Sequence, residues 1–364
     1  MRGKRLQRRT AWVPAEVYPP SFRGERKEKK IVLGHGAGGM KMHRLIERVF
    51  LKYFGNPLLE RLEDGAILNF NPGGGELCFT TDSYVVKPLF FPGGDIGKLA
   101  VCGTVNDLAV LGAVPGYLSL SFILGAGLEM AVLERICATI ARMKEKAGVE
   151  IVTGDTKVIE GAGGEVYINT TGIGVRRPGT KLGAELIRAG DMIVINGGIG
   201  EHEAAIAISR GADSGGYRLK SGLKSDCAAL HRMIQAVLEC GGVRVIRDPT
   251  RGGLATTLNE WCRFSELGLL IAEERLLVSR AVQGVADLLG LDPLYMANEG
   301  KVVMVVAPER AETIVKTMQR FAEGRKARVI GEVVREPKGV WLKTRLGSLR
   351  RLLMLEGEQL PRIC

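Results

Sequence analysis

Leu108 to Leu128 is a run of 21 residues without a charge, long enough to cross a bilayer as a helix. Its interior forbids that reading. Gly112, Pro115, Gly116, Gly125 and Gly127 interrupt it, and a proline inside a helix removes a hydrogen bond and clashes with the preceding turn. Leu118-Ser119-Leu120-Ser121-Phe122 alternates with period two, the pattern of a half-buried strand. The run is therefore expected to be a buried helix end, a turn and a strand, in a protein with no membrane span.

The rest of the chain mixes strands and helices in the same way, which predicts a mixed α/β (α+β) protein with helices covering sheets. A short apolar strand, Ile31–Leu33, is expected to run into the glycine-rich stretch Gly34–Gly39, and a helix follows with Leu45, Ile46, Val49, Phe50, Tyr53 and Phe54 on one face. A strand carries Asp64, and a second strand ends in Thr80-Thr81-Asp82. A glycine-rich loop leads to a helix bearing Asp107. Leu128–Ala147 has helical periodicity and is stopped by Gly148, and the next strand delivers Thr153, Asp155 and Lys157.

A basic, Pro/Gly-containing connection at Arg176–Gly190 divides the chain. A chain of 364 residues is long for one core. The expected domains are 31–180 and 183–348, flanked by a basic arm at 1–30 and a tail at 349–364. In the second half, helices are expected to open at Asp226, Ser279 and Asp248. Asp248-Pro249 resembles an N-cap followed by proline at the first helical position. Asn298-Glu299-Gly300 marks a turn before a strand.

Several familiar motifs fail. Gly93-x₃-Gly97-Lys98 lacks the leading glycine and the Ser/Thr of a phosphate-binding P-loop, since Pro92 and Leu99 stand there. The segment after Asn196 reads GxGxxE, so the dinucleotide fingerprint is missing its third glycine. Four histidines and seven cysteines show no zinc spacing and no CxxC pair. Such cysteine usage suits a reducing, cytoplasmic setting.

The net charge of +11 resides at the two ends. Residues 1–30 hold ten Lys/Arg against three Glu, residues 335–364 hold seven against three, and the body between them is neutral. A neutral body is not a nucleic-acid groove. The first 30 residues have no apolar core of a secretory leader.

The four aspartates Asp64, Asp82, Asp107 and Asp155 each lie near an element end beside Gly or Thr. Each alone suits a cap or turn. Brought together they would describe a cation site, because two carboxylates ~4 Å apart repel by about 4 kcal/mol at an effective dielectric near 20. Hard oxygen ligands suit Mg²⁺ held against nucleotide phosphates. The chain closes on Pro361-Arg362-Ile363-Cys364. A thiol there is a handle on a tail whose last ~10 residues would reach roughly 33 Å if extended.

The segments HGAGG, LEDGA, TTDS, FFPGGDIGKLAVCGTVNDLAVLGA, VTGDTKV, NTTGIG, RDPTRGGLATTLNE, LDPLYMANEGK and the terminal PRIC resemble, in that order, the hydrogenase maturation family HypE. That family belongs to the aminoimidazole ribotide synthetase-like (PurM-like) superfamily. The resemblance spans nearly all of residues 31–364 and leaves out the arm.

It implies a two-domain fold with an N-terminal ATP/Mg²⁺ domain that dimerises, a C-terminal α/β domain and a flexible tail. It also implies a HypF-type carbamoyltransferase that loads a carbamoyl group onto Cys364, and ATP-dependent dehydration of that S-carboxamide to a thiocyanate. Cyanide would then pass to iron on a HypC/HypD-type scaffold. The same resemblance implies Mg²⁺ and phosphates on Asp64, Asp82, Asp107 and Asp155. Gly93, Gly94, Lys98, Thr81 and Asn106 are further nucleotide candidates, and Lys157 and Glu299 are the candidates for proton handling.

Other superfamily activities fit less well. A selenophosphate synthetase wants a reactive Cys or selenocysteine that Gly34–Gly39 lacks, and a purine-pathway synthetase or thiamine phosphate kinase has no use for Cys364. A non-catalytic assembly scaffold is the reading from another class, and it predicts no ATP turnover.

Overall fold

The computed structural model describes residues 28–36, 40–61, 74–161, 163–213, 222–262 and 266–354. The arm up to residue 27, the segment carrying Asp64 and the tail carrying Cys364 lie outside the described residues.

Ile31–Leu33 does not form the expected strand. The Ile31 N–H is tied to Leu128 O at 2.6 Å, and Leu33–Gly36 coils at once into a 3₁₀ turn, which Gly34 and Gly36 permit. Helices α1 (Met40–Leu45) and α2 (Leu51–Phe54) follow, joined by one wider turn. Strand β1 (Glu76–Tyr84) leads to the tight hairpin β2 (Phe90–Phe91) and β3 (Gly94–Asp95), then α3 (Ile96–Val110), β4 (Ala113–Gly125), α4 (Met130–Ala147), β5 (Glu150–Ile159) and β6 (Val166–Arg176). The strands form one sheet in the order β1-β6-β4-β5.

The uncharged run thus becomes the end of α3, a turn and β4. Leu118, Leu120 and Phe122 are buried while Ser119 and Ser121 between them are not. Helix α3 is apolar nearly all round because it is covered on all sides. It lies on the sheet and α4 lies on it. The two helices meet at Gly97, where an added Cβ would stand 2.8 Å from Ile140 and 2.9 Å from the Ile136 carbonyl.

The second unit comprises β7 (Met192–Ile195), α5 (Glu201–Asp213), α6 (His231–Glu239), β8 (Val243–Arg247), α7 (Gly253–Cys262), β9 (Gly268–Ala272) and α8 (Arg280–Leu289). It continues with β10 (Val303–Val306), α9 (Pro308–Met318), β11 (Arg328–Val334), β12 (Gly339–Lys343) and β13 (Leu349–Leu352). The sheet order is β13-β12-β9-β11-β7-β10-β8, antiparallel except for the β9/β12 pair. Both faces are covered. On β10, Val303 and Val305 pack with α7 residues Leu254, Leu258 and Trp261, while Met304 and Val306 pack with α6 and α9. A strand buried on both faces reads as an unbroken apolar run, and VMVV does.

Two expected helix starts are displaced. Helix α7 begins at Gly253 rather than Asp248, because Gly252 (φ 74°) and Gly253 (φ 61°) hold a left-handed backbone that breaks a helix. Helix α6 begins at His231 rather than Asp226, whose carboxylate is turned inward. Ser279 does cap α8, its hydroxyl accepting from Val282 N at 3.2 Å.

The units interlock. Asn106 on α3 donates to Ala228 O at 3.0 Å and accepts from Leu230 N at 2.8 Å. Gln235 on α6 donates to Ala113 O at 3.0 Å, and Ser225 N donates to Pro92 O at 2.7 Å. Cys227 from the second unit is buried in the first unit's core.

Candidate functional site

At this junction the carboxylates gather. On β1, Thr80 and Asp82 share the face that looks toward α3, and Thr80 donates to Asp107 Oδ2 at 2.9 Å. From the second unit, Asp248 directly after β8 and Glu299 before β10 stand opposite. Burial, reinforced by the Asp82 charge, raises the proton affinity of Asp107, although the Thr80 hydroxyl and Arg247 oppose this. Burial and then the Asp107 charge raise Asp248 to about 7. Glu299 is pushed well above the carboxylate range by burial and then by Asp248, Asp226 and Asp82. Like charges held close in a poorly solvated cleft either keep protons or gather cations.

The acidic constellation expected from the sequence does not assemble whole. Asp82 and Asp107 meet, and Asp64 lies outside the described residues. Within one chain Asp155 stands apart from Asp82 and Asp107. It stands on β5 at the sheet's other edge, three strand spacings or about 14 Å from β1. It also faces the other way: it pairs in register with Ser121 on the uncovered face, while Thr156 beside it is buried. A strand's side chains alternate between faces, so no local adjustment brings Asp155 round to Asp82. Lys157 goes with it, its Nζ 3.6 Å from Asp155 Oδ2, so within one chain Lys157 and Glu299 are also apart.

The other nucleotide candidates have their own engagements. Gly93 and Gly94 form the β2–β3 turn, and Lys98 Nζ donates to Gly93 O at 2.8 Å. An added Cβ at Gly93 would sit 2.6 Å from Ser225 O, so that turn abuts the second unit. Asn106 is the clasp already described. Thr81 points to the uncovered face and donates to Thr170 O at 3.0 Å.

Sequence reading missed Asp248 and the group behind Glu299. The Asp-Pro pair had a complete explanation as a helix start, which hid Asp248. Asp226 is buried with Lys301 Nζ at 2.8 Å from Oδ2, and Lys301 lies 3.8 Å from Glu201 Oε2. Burial works against an ionised Asp226, yet Lys301 prevails and holds it below its ordinary value. The signal available was Lys301 itself, two residues beyond Glu299.

Among the described residues no three His, Cys, Asp or Glu side chains stand close enough to hold a metal ion unaided. The donor chemistry still suits Mg²⁺, which keeps waters and takes its remaining ligands from one or two carboxylates and a nucleotide's phosphates. Asp82 and Asp107 are the two of the four aspartates that could supply such a pair within one chain. A separate cavity of about 180 Å³ opens between α1, α2 and β5, its lining including His43, Phe50, Phe54, Phe122 and the Thr153–Thr156 stretch of β5. No helix among the described residues is long and apolar enough to cross a membrane.

Comparison with known proteins agrees with this architecture. Residues 62–176 match the AIR synthase related protein N-terminal domain and residues 188–342 its C-terminal domain. The chain is 48% identical over 344 residues to carbamoyl dehydratase HypE of Rhodobacter capsulatus, covering 93% of this chain and 99% of that protein. A crystal structure of the hydrogenase maturation protein HypE in complex with ATP superposes with a TM-score of 0.85 at 45% identity, covering 92% of this chain and 99% of that one. A HypE–HypF complex superposes at 0.73 with 40% identity, covering 85% and 99%. A thiamine monophosphate kinase-type structure bound to AMPPCP and TMP, at 18% identity and a TM-score of 0.56, shares the fold alone. On identity, coverage and fold together, this chain belongs to the HypE carbamoyl dehydratase family.

Proposed function

We propose that the protein dehydrates an S-carboxamide carried on its own Cys364 to a thiocyanate, consuming ATP, and so supplies cyanide for the Fe(CN)₂CO centre of [NiFe] hydrogenase. The observation that carries this reading is the junction cleft, where Asp82 and Asp107 of one unit oppose Asp248 and Glu299 of the other, in a chain so similar to named carbamoyl dehydratases.

The chemistry follows from the groups present. An amide oxygen is a poor leaving group, and transfer of the γ-phosphoryl group to it makes it a good one. Asp82 and Asp107 are placed to hold the Mg²⁺–triphosphate. Bound there, Mg²⁺ supplies positive charge that offsets the phosphates and the surrounding carboxylates. The nitrogen must lose both protons in all: Glu299 is the acceptor proposed for the one released as the amide oxygen is phosphorylated, and the other departs with phosphate as hydrogen phosphate. Burial, then the charges of Asp248, Asp226 and Asp82, raises the proton affinity of Glu299, the direction that strengthens a base. Its buried position also keeps water from a phosphorylated intermediate that would hydrolyse.

Loading of Cys364 is assigned to a HypF-type carbamoyltransferase and cyanide delivery to a HypC/HypD-type iron scaffold. A cytoplasmic setting suits the free cysteines found among the described residues.

The uncovered face of the first sheet supports a homodimer. Leu77 and Phe79 are 57% and 64% exposed there. They continue in register into Val175–Val114 and Ile173–Tyr117, an apolar patch across three strands. Beyond them the rows Thr81–Thr171–Ser119–Thr153 and Ser83–Asn169–Ser121–Asp155 are polar. A second copy packed on this face would cover the apolar rows. Asp155 and Lys157 would then act in the partner's cleft rather than in their own.

Intact-mass measurement after incubation with the carbamoyl donor system tests the function. A carbamoyl adduct confined to Cys364 is expected, losing one water when Mg-ATP is added. An adduct on another cysteine, or one indifferent to ATP, overturns the mechanism.

A further inference from the structure

Glu299 is held in place by its backbone. Its N–H donates to Asp226 Oδ1 at 3.2 Å, and its carbonyl accepts from Ala228 N at 3.4 Å. The residues on either side are fixed by asparagines. Asn298 Oδ1 accepts from Gly200 N at 2.8 Å, and its amide donates to Pro249 O and Met296 O, each at 3.0 Å. Asn196 donates to Gly300 O at 3.0 Å and accepts from Val302 N at 2.9 Å. Gly300 passes so near Asp226 that an added Cβ would lie 1.9 Å from the Asp226 carbonyl oxygen.

The segment from Asp226 to Leu230 is therefore a bridge. At one end Asn106, next to Asp107 on α3, grips Ala228 and Leu230, and at the other end Asp226 and Ala228 grip Glu299. The distance between the phosphate-side aspartates and the proton acceptor depends on this bridge. One element of it is electrostatically demanding: the Asp226 side chain is 5% exposed, and its charge is compensated chiefly by the Lys301 ammonium, 2.8 Å away, with the Glu299 N–H on its other oxygen. A buried carboxylate stripped of its cation is left with an uncompensated charge and must protonate or move.

We propose that Lys301 is a positioning residue for the dehydration step, acting through Asp226 to hold Glu299 at its place opposite Asp107. The proposal rests on the reading of Glu299 as the proton acceptor. It adds that a cation which touches no reacting atom sets the acceptor's position. The binding side of the site, Asp82 and Asp107, belongs to the other unit and is not reached by Lys301. Loss of Lys301 is expected to slow the chemical step while leaving loading and nucleotide affinity nearly intact.

The test uses the full chain loaded at Cys364 by its carbamoyltransferase, with water loss followed by mass in single turnover. Lys301→Met is expected to lower the rate constant about 100-fold, the size of effect a displacement near 1 Å produces, with the KM for ATP changed less than about threefold. Asp226→Asn is expected to cost a similar factor. The double variant decides the matter. If Lys301 acts through Asp226, the double variant is no slower than the worse single one, whereas independent roles would multiply to about 10⁴-fold. Multiplying effects, or a rise in the KM for ATP matching the loss of rate, overturn the proposal. Should Lys301→Met fail to fold, Lys301→Arg with Asp226→Asn completes the same cycle. Glu299→Gln, run in parallel, separates the two readings: a fully active Glu299→Gln refutes the acceptor role itself, while an inactive one with multiplying Lys301 and Asp226 effects refutes only the positioning.

Discussion

The two faces of the first sheet carry similar acidic strand segments, TTDS on β1 and TGDTK on β5, in opposite surroundings. On the helix-covered face, Asp82 meets Asp107 and then the carboxylates of the second unit, and the proton affinities of Asp107, Asp248 and Glu299 are raised. On the uncovered face, Asp155 is exposed and paired with Lys157 at 3.6 Å. What separates them is desolvation by a second domain rather than the residue type or its neighbours in sequence. An aspartate acquires a tuned environment when another structural unit closes over it. By that logic the uncovered face becomes functional only when something covers it.

The widest gap between the faces is expected at Glu299. Replacing it with Gln keeps the shape and removes the acceptor, so dehydration in the loaded chain is expected to fall about 10³-fold, within the range for lost general base catalysis. Carbamoylation of Cys364 is expected to proceed as before. Mass analysis at both stages checks this, and a variant that still loses water at the parent rate would remove Glu299 from the chemistry.

The uncovered face is tested by mixing. Asp82→Asn and Asp155→Asn are each expected to be inactive as homodimers. If Asp155 works in the partner's cleft, re-associated heterodimers contain one intact site, and a one-to-one mixture recovers about a quarter of parental activity. No recovery after verified subunit exchange would place both aspartates in the same chain's site.

Much of this was legible in the sequence where local pattern and tertiary role coincide. The period-two alternation at Leu118–Phe122, the helix ending at Gly148 and the cap at Ser279 needed only neighbours to be read. The cleft was half legible. Asp82 and Asp107 stood out beside Thr and Asn, but Asp248 had a sufficient local explanation, and only the left-handed pair Gly252–Gly253 moves the helix start away from it. Asp155 looked equivalent to Asp82 because strand order and side-chain face, which separate the two, are properties of the assembled sheet. Lys301 stood in view two residues beyond Glu299, but its role did not, because its partner Asp226 lies 75 residues away.

A smaller effect is expected on assembly. Phe79→Asp places a charge in the apolar rows of the uncovered face. Burying it unpaired costs enough to weaken a dimer about 100-fold. Light scattering across a dilution series should show dissociation at concentrations where the parent remains dimeric. An unchanged profile would mean that the uncovered face does not join two copies.

The subtlest expectation concerns the free protein's stability against pH, and it sharpens the comparison on the covered side. Asp248 is raised from 3.8 to about 7 in the folded state, first by burial and then by Asp107. Between about pH 4 and 7 the folded protein keeps a proton that the unfolded chain has released, so stability is full below about pH 4 and is lost as pH rises through 7. The loss is at most about 1.4 kcal/mol per pH unit across that window, and less to the extent that water reaches this partly accessible carboxyl. Asp248→Asn has no proton to lose. Its stability relative to the parent is expected to increase steadily from pH 4 to pH 7 and then level off, as read from urea midpoints at four or five pH values. Parallel curves for Asp248→Asn and its parent would mean that the cleft is wetter than its packing indicates, and that the covered and uncovered faces differ in position but not in electrostatics.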